Sequence, residues 1–272
     1  MSLQLHFKIS TTVPVEVEGI TPNVLREKSL AEIERLDIFH GNQKLPLAEM
    51  FDVTGDPSDG QLNWEGELSG VHWIGAKMSD GVVRVSGNAG RHVGSEMSGG
   101  EIHVACDASD WVGGEMFGGL IHVRGRAGHL VGAAYRGSRV GMTGGTILIE
   151  GDAGNEIGHT MRRGMLAVGG NIGDLAGFNM RAGTIFVFGE AGIRHGAGMR
   201  RGTIGFLGES APPLLPTFRF ACRYQPDILR LTLRSLQQDN FPVSEELLLA
   251  DYDLYHGDMI EGGRGEMLLK AM

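Results

Sequence analysis

The sequence predicts an all-β protein: a right-handed parallel β-helix of about seven coils of 19 residues, with a small strand-rich N-terminal cap and a C-terminal helical extension. Two observations predict this fold. Glycine supplies 44 of the 272 residues, about twice the usual share, and it recurs at a fixed period. Between the glycines, apolar and polar residues alternate over a short stretch, which is typical of a strand with one buried face.

The period is measured from the glycine that opens each unit, taken as offset zero. Units follow each other every 19 residues, and a seven-residue insertion at residues 135–141 lengthens one step to 26. Offsets +2 and +4 are apolar, and offset +13 is glycine in every full unit, which favours corners because glycine readily adopts positive φ. The left-handed hexapeptide-repeat fold is the structural alternative, but its period does not fit. The opening glycines are Gly81, Gly100, Gly119, Gly145, Gly164, Gly183 and Gly202.

Offset +16 is occupied by methionine in six successive units. One interpretation is a soft-metal or redox site, since thioethers bind such metals. The other is a stacked column of core side chains, a role that suits the adaptable methionine chain. We favour the core column, because a stacked fold needs one such residue in every coil, whereas a metal site needs only one cluster. The residues are Met97, Met116, Met142, Met161, Met180 and Met199.

The composition divides the chain into three parts. We expect an N-terminal cap over residues 1–60, the glycine-rich β-helix over residues 61–209, and a Pro-rich linker, helix and tail over residues 210–272. Pro226 begins a helical pattern that extends over residues 227–238. One face of this helix is lined by Leu229, Leu233 and Leu236.

The outward positions of the coils change character along the chain. They are polar in the early coils and apolar in the late ones, where Phe186, Phe188 and Leu207 would form an exposed patch. Such a patch needs a cover. The chain's own C-terminal helix is the favoured cover, and a partner protein is the alternative.

The overall charge and the cysteine content exclude several function classes. A net charge of -9 argues against a general nucleic-acid or anionic-membrane binder, since both need a basic surface. No apolar run is long enough to span a bilayer, and residues 1–10 lack the apolar stretch of a signal peptide. Two cysteines make a disulfide framework, or an iron–sulfur cluster held by this chain alone, an unfavoured interpretation. We expect a soluble cytoplasmic protein.

No pattern in the sequence indicates a catalytic site. His103 and His122 are 19 residues apart and should stack, but two ligands without a third do not form a zinc site. We interpret them as a surface stack. The acidic residues of the coils occupy different offsets and form no cluster. We therefore predict no catalytic residue, no metal ligand and no cofactor bound by this chain alone.

Arginines concentrate along one edge of the last coils. Offset +17 changes from Ser98, Phe117 and Thr143 in the early coils to arginine in the late ones, and offset +18 adds two more. Stacked like charges about 5 Å apart repel each other, which favours an anionic ligand or an acidic partner. The alternative, that each arginine pairs with a local acid, stays open at this point. The insertion should emerge near the same edge. The candidate cofactor-binding residues are Arg162, Arg163, Arg181, Arg200 and Arg201.

Several segments resemble known proteins. The coils at residues 145–158 and 183–192 look like the glycine-rich repeat of the C-terminal domain of glutamate synthase. The flanks are more specific: Glu-Gly-Ile-Thr-Pro at 18–22, Phe-Asp-Val-Thr-Gly at 51–55 and the tail at 255–266 resemble the C subunit of formylmethanofuran dehydrogenase. Within that family, the chain is most similar to the bacterial homologue in the formyltransferase/hydrolase complex of methylotrophs.

The resemblance implies a non-catalytic scaffold subunit in a cytoplasmic complex of one-carbon metabolism. Its partners would be the A, B and D subunits. The D subunit transfers the formyl group from a tetrahydromethanopterin carrier to a methanofuran-like coenzyme, and the A subunit releases formate. The glutamate-rich tail of that coenzyme is a candidate ligand for the five arginines, and partner docking is the alternative. The C subunit of a tungsten- or molybdenum-dependent formylmethanofuran dehydrogenase and a free-standing β-helix enzyme are the other possible functions.

Overall fold

The computed structural model describes residues 2–271 and consists mainly of strands in two sheets. The large sheet has 13 strands in the order β15-β16-β17-β14-β13-β12-β11-β10-β9-β8-β6-β1-β5, and the small sheet has four in the order β4-β3-β2-β7. The strands are β1 (Leu3–Phe7), β2 (Val15–Glu16), β3 (Asp37–His40), β4 (Gln43–Pro46), β5 (Phe51–Thr54), β6 (Gln61–Glu65), β7 (Val71–His72), β8 (Val82–Val85), β9 (Glu101–Val104), β10 (Leu120–Val123), β11 (Thr146–Ile149), β12 (Met165–Val168), β13 (Thr184–Val187), β14 (Gly202–Phe206), β15 (Arg219–Tyr224), β16 (Tyr252–Gly257) and β17 (Gly265–Lys270). The helices are α1 (Pro22–Leu25), α2 (Leu30–Glu34), α3 (Leu47–Met50), α4 (Asp227–Gln238) and α5 (Glu246–Leu249).

The central strands β8 to β14 pair in parallel, and each pair aligns residues of the same offset. Val83 lies opposite Ile102, and Ile102 lies opposite Ile121. A second row of bridges between the strands follows the same register, from Ala89 to Ala108 to Ala127. The 19-residue period of the sequence is therefore the length of chain between neighbouring paired strands.

The prediction of a right-handed parallel β-helix of about seven coils with separate terminal caps is wrong. The large sheet is mixed, and it draws strands from both flanks: β1 and β17 extend the parallel run beyond β6 and β14, and β5, β16 and β15 continue it in antiparallel pairing. The physical reason is that the end strands of a parallel stack expose unpaired N–H and C=O groups. The flanking segments satisfy these groups by strand pairing, so the C-terminal part is not simply a helical extension. The division at residues 60 and 209 stays a prediction.

The methionine column is buried, as predicted. All six methionines at offset +16 are fully buried, and each methyl group lies against the glycine that opens the unit after next. A Cβ atom on Gly164 would lie 2.6 Å from Cε of Met142, and the φ of Gly164 is +96°. Only glycine satisfies both the backbone angle and the contact, so the methionine of one unit and the opening glycine of another constrain each other.

Helix α4 covers the apolar outer face of the late strands. It begins after Pro226 and places Asp227 in its first turn, where a carboxylate favours the helix dipole. Phe186 and Leu207 are 3% and 2% exposed, and they pack in one cluster with the leucines of the inner face of α4. Phe188 packs against Phe241, with ring centroids 5.4 Å apart. The prediction that the chain's own helix is the cover is confirmed.

Polar side chains pair with the backbone where the strands do not. Oδ1 of Asp107 accepts a hydrogen bond from the backbone N–H of Arg126, 2.8 Å away, and Oδ1 of Asn155 accepts one from that of Asp174, at 2.9 Å. Each acceptor bonds the residue one unit later at its own offset. Buried or half-buried N–H groups need such partners, so these asparagines and aspartates hold the corners in register.

A stacked row of aromatic rings lies at another corner, at offset +11. The rings of Trp73 and His92 are 4.0 Å apart and nearly parallel, and Trp111 follows 5.4 Å from His92. Tyr135, the first residue of the insertion, packs against all three rings at 5.6 to 6.4 Å. Burial lowers the pKa of His92 to about 4, so this imidazole is neutral at physiological pH.

We expect Met161→Asp to prevent folding, because it would bury an unpaired carboxylate at a cost of more than about 4 kcal/mol. Met161→Leu, which conserves apolar volume, should fold normally. Circular dichroism and soluble yield of the two variants measure the difference. A soluble, folded aspartate variant would contradict the burial described here.

We also expect the free energy of unfolding to fall as the pH drops from about 6.5 toward 4. In the unfolded chain His92 takes up a proton near pH 6.5, whereas in the folded chain it does so only near 4. The unfolded state therefore binds more protons in this window and gains stability relative to the fold. Urea unfolding at pH 7.5 and 5.0 measures the loss, and His92→Asn, which tolerates the left-handed backbone of residue 92, should reduce it. An unchanged pH dependence in that variant would show that other groups cause it.

Candidate functional site

The predicted arginines form a ridge along one edge of the late strands. The backbone N–H groups of Arg162, Arg181 and Arg200 donate to the carbonyls of Met142, Met161 and Met180, each at 2.8 Å. These three residues therefore stack in register in successive units, about 4.8 Å apart. We call Arg162, Arg163, Arg181, Arg200 and Arg201 the arginine ridge.

Most of the ridge has no acidic partner within the chain. Nε of Arg200 lies 2.8 Å from a carboxylate oxygen of Glu261. Within residues 2–271, no salt bridge involves the other four members. The alternative that each arginine pairs with a local acid thus holds for Arg200 alone.

Two clefts adjoin the ridge. A groove of about 440 Å³ is lined by Arg162, Arg163, Arg181 and Arg201. A second cleft, of about 330 Å³, shares Arg181, adds Arg200, and is bounded by Ser138 and Arg139 of the insertion. We call it the insertion cleft. The sequence predicts that the insertion emerges near this edge, but nothing in it indicates that Arg139 lines a cleft with two members of the ridge.

The two stacked histidines lie on the outer face of β9 and β10. Their rings are 6.3 Å apart, and each has its own carboxylate: His103 lies 2.9 Å from Glu101, and His122 lies 2.9 Å from Glu150. His103 is partly exposed, whereas His122 is 2% exposed, so the prediction of a surface stack is wrong for His122. Burial, together with the nearby Arg124 guanidinium, lowers the pKa of His122.

Potential metal ligands do not cluster in the part of the chain that the structure describes. Within residues 2–271, no group of three or more histidine, cysteine, aspartate or glutamate side chains is placed to hold a metal ion. None of the helices in that range has the length and apolar character needed to cross a membrane. Cys106 and Cys222 are free and exposed.

A solved structure matches the whole chain. A chain of the crystal structure of the formyltransferase/hydrolase complex from Methylorubrum extorquens, in complex with methylofuran, superposes with a TM-score of 0.89 at 32% identity. The match covers 99% of this chain and 100% of that one.

Shorter matches link the chain to curated proteins. Over 85 residues it is 38% identical to the C subunit of the tungsten-containing formylmethanofuran dehydrogenase 2 of Methanothermobacter wolfeii, which is 30% of this chain and 32% of that protein. Over 91 residues it is 41% identical to the C subunit of the molybdenum-containing formylmethanofuran dehydrogenase 1 of Methanothermobacter thermautotrophicus, which is 33% of this chain and 23% of that protein. These matches span about a third or less of the curated relatives' length.

No family model matches the chain, and the resemblance to the glutamate synthase repeat stays a prediction. The match to the formyltransferase/hydrolase complex extends over the full length and therefore assigns the chain. The chain belongs to the family of C subunits shared by the formyltransferase/hydrolase complex and the formylmethanofuran dehydrogenases.

Proposed function

We propose that this chain is a non-catalytic scaffold subunit of a cytoplasmic formyltransferase/hydrolase complex. Such a complex moves a formyl group from formyl-tetrahydromethanopterin to a methanofuran-like coenzyme and releases formate. The observation that carries the proposal is the match to a chain of that complex over 99% of this chain. The partners would be the A, B and D subunits, with the chemistry performed by the A and D subunits.

The roles of the polar side chains support a scaffold. Asp107 and Asn155 use their side-chain oxygens to hold backbone N–H groups of the next unit. The carboxylates of Glu101 and Glu150 contact histidines, and Glu150 also contacts Arg124. These groups stabilise the stack of strands, which suits a protein that positions its partners.

A second candidate is the C subunit of a tungsten- or molybdenum-dependent formylmethanofuran dehydrogenase. It is supported by the identities of 38% and 41% over 85 and 91 residues. The coverage of those matches is lower, so we place this candidate second. Purification of the tagged chain with its natural partners, followed by metal and pterin analysis, separates the two candidates: molybdopterin with tungsten or molybdenum in the complex would favour the dehydrogenase.

For the arginine ridge, we propose that it retains the acidic tail of the coenzyme. Four unpaired guanidiniums follow one line with a repeat of about 4.8 Å, which suits an extended polyanion better than a compact substrate. A tail held at the ridge would leave the reactive end of the coenzyme free to move between active sites. The attraction is mainly electrostatic and should weaken as the salt concentration rises. The alternative is that the ridge docks an acidic surface of a partner protein.

We expect the purified chain alone to show no formyl transfer and no release of formate, and the complex that contains it to show both. The measurement is turnover of formyl-tetrahydromethanopterin by the isolated chain and by the complex at equal concentration. Turnover by the isolated chain would contradict the scaffold function and favour a free-standing enzyme.

We expect the triple change of Arg162, Arg181 and Arg200 to Ser to lower the coenzyme content of the complex roughly tenfold or more, because each guanidinium lost removes charge-assisted hydrogen bonds. The control is the change of Arg35, Arg219 and Arg234 to Ser, which removes the same charge at positions away from the ridge. Coenzyme content is measured after size-exclusion chromatography of the intact complex.

The outcome separates the two roles of the ridge. Loss of coenzyme from an intact complex, in the triple variant but not in the control, supports tail binding. Loss of assembly supports docking of a partner. If assembly, coenzyme content and activity all survive, the ridge is a solvated surface and the proposal is wrong.

A further inference from the structure

The insertion is fixed to the body of the protein at both ends. The backbone N–H of Ala134, just before it, donates to the carbonyl of His159 at 3.2 Å, and that of Gly141, its last residue, donates to the carbonyl of Thr160 at 3.2 Å. These bonds attach the loop to the wall of the insertion cleft.

Tyr135 adds a further anchor at the start of the loop. Its ring packs across the aromatic row, and its backbone N–H donates to a carboxylate oxygen of Glu115 at 3.0 Å. Burial of the phenol raises the pKa of Tyr135 to about 12, so the anchor carries no charge that could disturb the packing. The loop that bears Arg139 is therefore held in place before any ligand arrives.

The insertion cleft collects three guanidiniums from three different segments. Arg139 comes from the loop, and Arg181 and Arg200 come from successive units. Glu261 is the only acidic residue that lines the cleft, and it contacts Arg200 through Nε, which leaves the terminal nitrogens of that guanidinium available. Among the described residues, none forms a salt bridge with Arg139 or Arg181.

We propose that the insertion cleft is a binding site for a compact oxyanion, a phosphate or carboxylate group. Three converging guanidiniums repel each other unless an anion lies between them, and planar guanidiniums match the oxygens of carboxylate and phosphate in bidentate fashion. Ser138 and Asn179 also line the cleft and add polar contacts. A volume of about 330 Å³ admits such a group.

The site is distinct from the open groove of the ridge. The groove is lined by Arg162, Arg163 and Arg201 in addition to Arg181, and the loop does not bound it. Arg139 lines the insertion cleft alone. This inference does not rest on the proposed function, and a change at Arg139 tests it without altering the ridge.

The test is the binding of inorganic phosphate and, separately, of glutarate to the protein in its assembled complex, by isothermal titration calorimetry in buffers of equal ionic strength. Arg139→Gln should weaken the binding roughly tenfold or more. Arg136→Gln is the matched control: it removes the same charge from the same loop, but Arg136 lines a different cleft. Tighter binding of phosphate than of glutarate identifies a phosphate group as the natural ligand, and the reverse order identifies a carboxylate.

Glu261→Gln provides a variant that should gain affinity. It removes the one negative charge of the cleft and frees the guanidinium of Arg200, so we expect anion binding to tighten several-fold. The pair concerned is partly exposed, so the change should cost little stability.

Three results would overturn the proposal. The first is binding of neither anion to the unmodified protein. The second is an equal loss of affinity in Arg139→Gln and Arg136→Gln, which would indicate unspecific attraction to a basic surface. The third is loss of a partner from the complex in Arg139→Gln with no anion bound before the change, which would identify the cleft as a docking site for an acidic side chain of that partner.

Discussion

The contact between a methionine and a glycine sets the register on which the rest of the structure depends. Each methionine at offset +16 places its methyl group where a Cβ atom of a later opening glycine would be. A strand that slipped by one residue would turn its apolar side chains to the opposite face and would bring a bulkier residue against that methyl group. The constraint acts between units and therefore extends along the whole parallel run, from Met78 against Gly100 to Met199 against Gly265.

The last of these contacts shows how the same rule incorporates a flank. Gly265 opens β17, which follows β14 in the sheet but is separated from it by more than fifty residues of chain, including α4 and two antiparallel strands. Met199 fits against Gly265 as Met180 fits against Gly202. Strand β17 thus continues the parallel stack with the same internal contact, and β16 and β15 then continue the sheet in antiparallel pairing.

The sequence predicts what is periodic or local. The strands of the repeat, the buried methionines and helix α4 at residues 227–238 follow from spacing and from Pro226. Pairing between segments far apart in the chain leaves no such signal, which is why the sequence predicts separate flanks where β1, β5 and β17 join the large sheet. The burial of His122 has the same origin, since it depends on what covers the strand. At the candidate site, the ridge follows from the period, whereas Arg139 and Glu261 are brought to the insertion cleft by tertiary contacts alone.

The position of the ridge is permitted by the fold but not required by it. In the early units, offset +18 is glycine, and a Cβ atom on Gly99, Gly118 or Gly144 would collide with a backbone carbonyl of the preceding unit. Only the late units have room for a side chain at this offset, and two of them carry Arg163 and Arg201. At offset +17 the same backbone accepts Ser98, Phe117 and Thr143, so the fold does not demand arginine there either. Five like charges therefore stand together on an acidic protein at positions where folding is satisfied by smaller or uncharged residues. Since their mutual repulsion opposes folding, the charge of the ridge is best explained by an anionic group that it binds in the assembled complex.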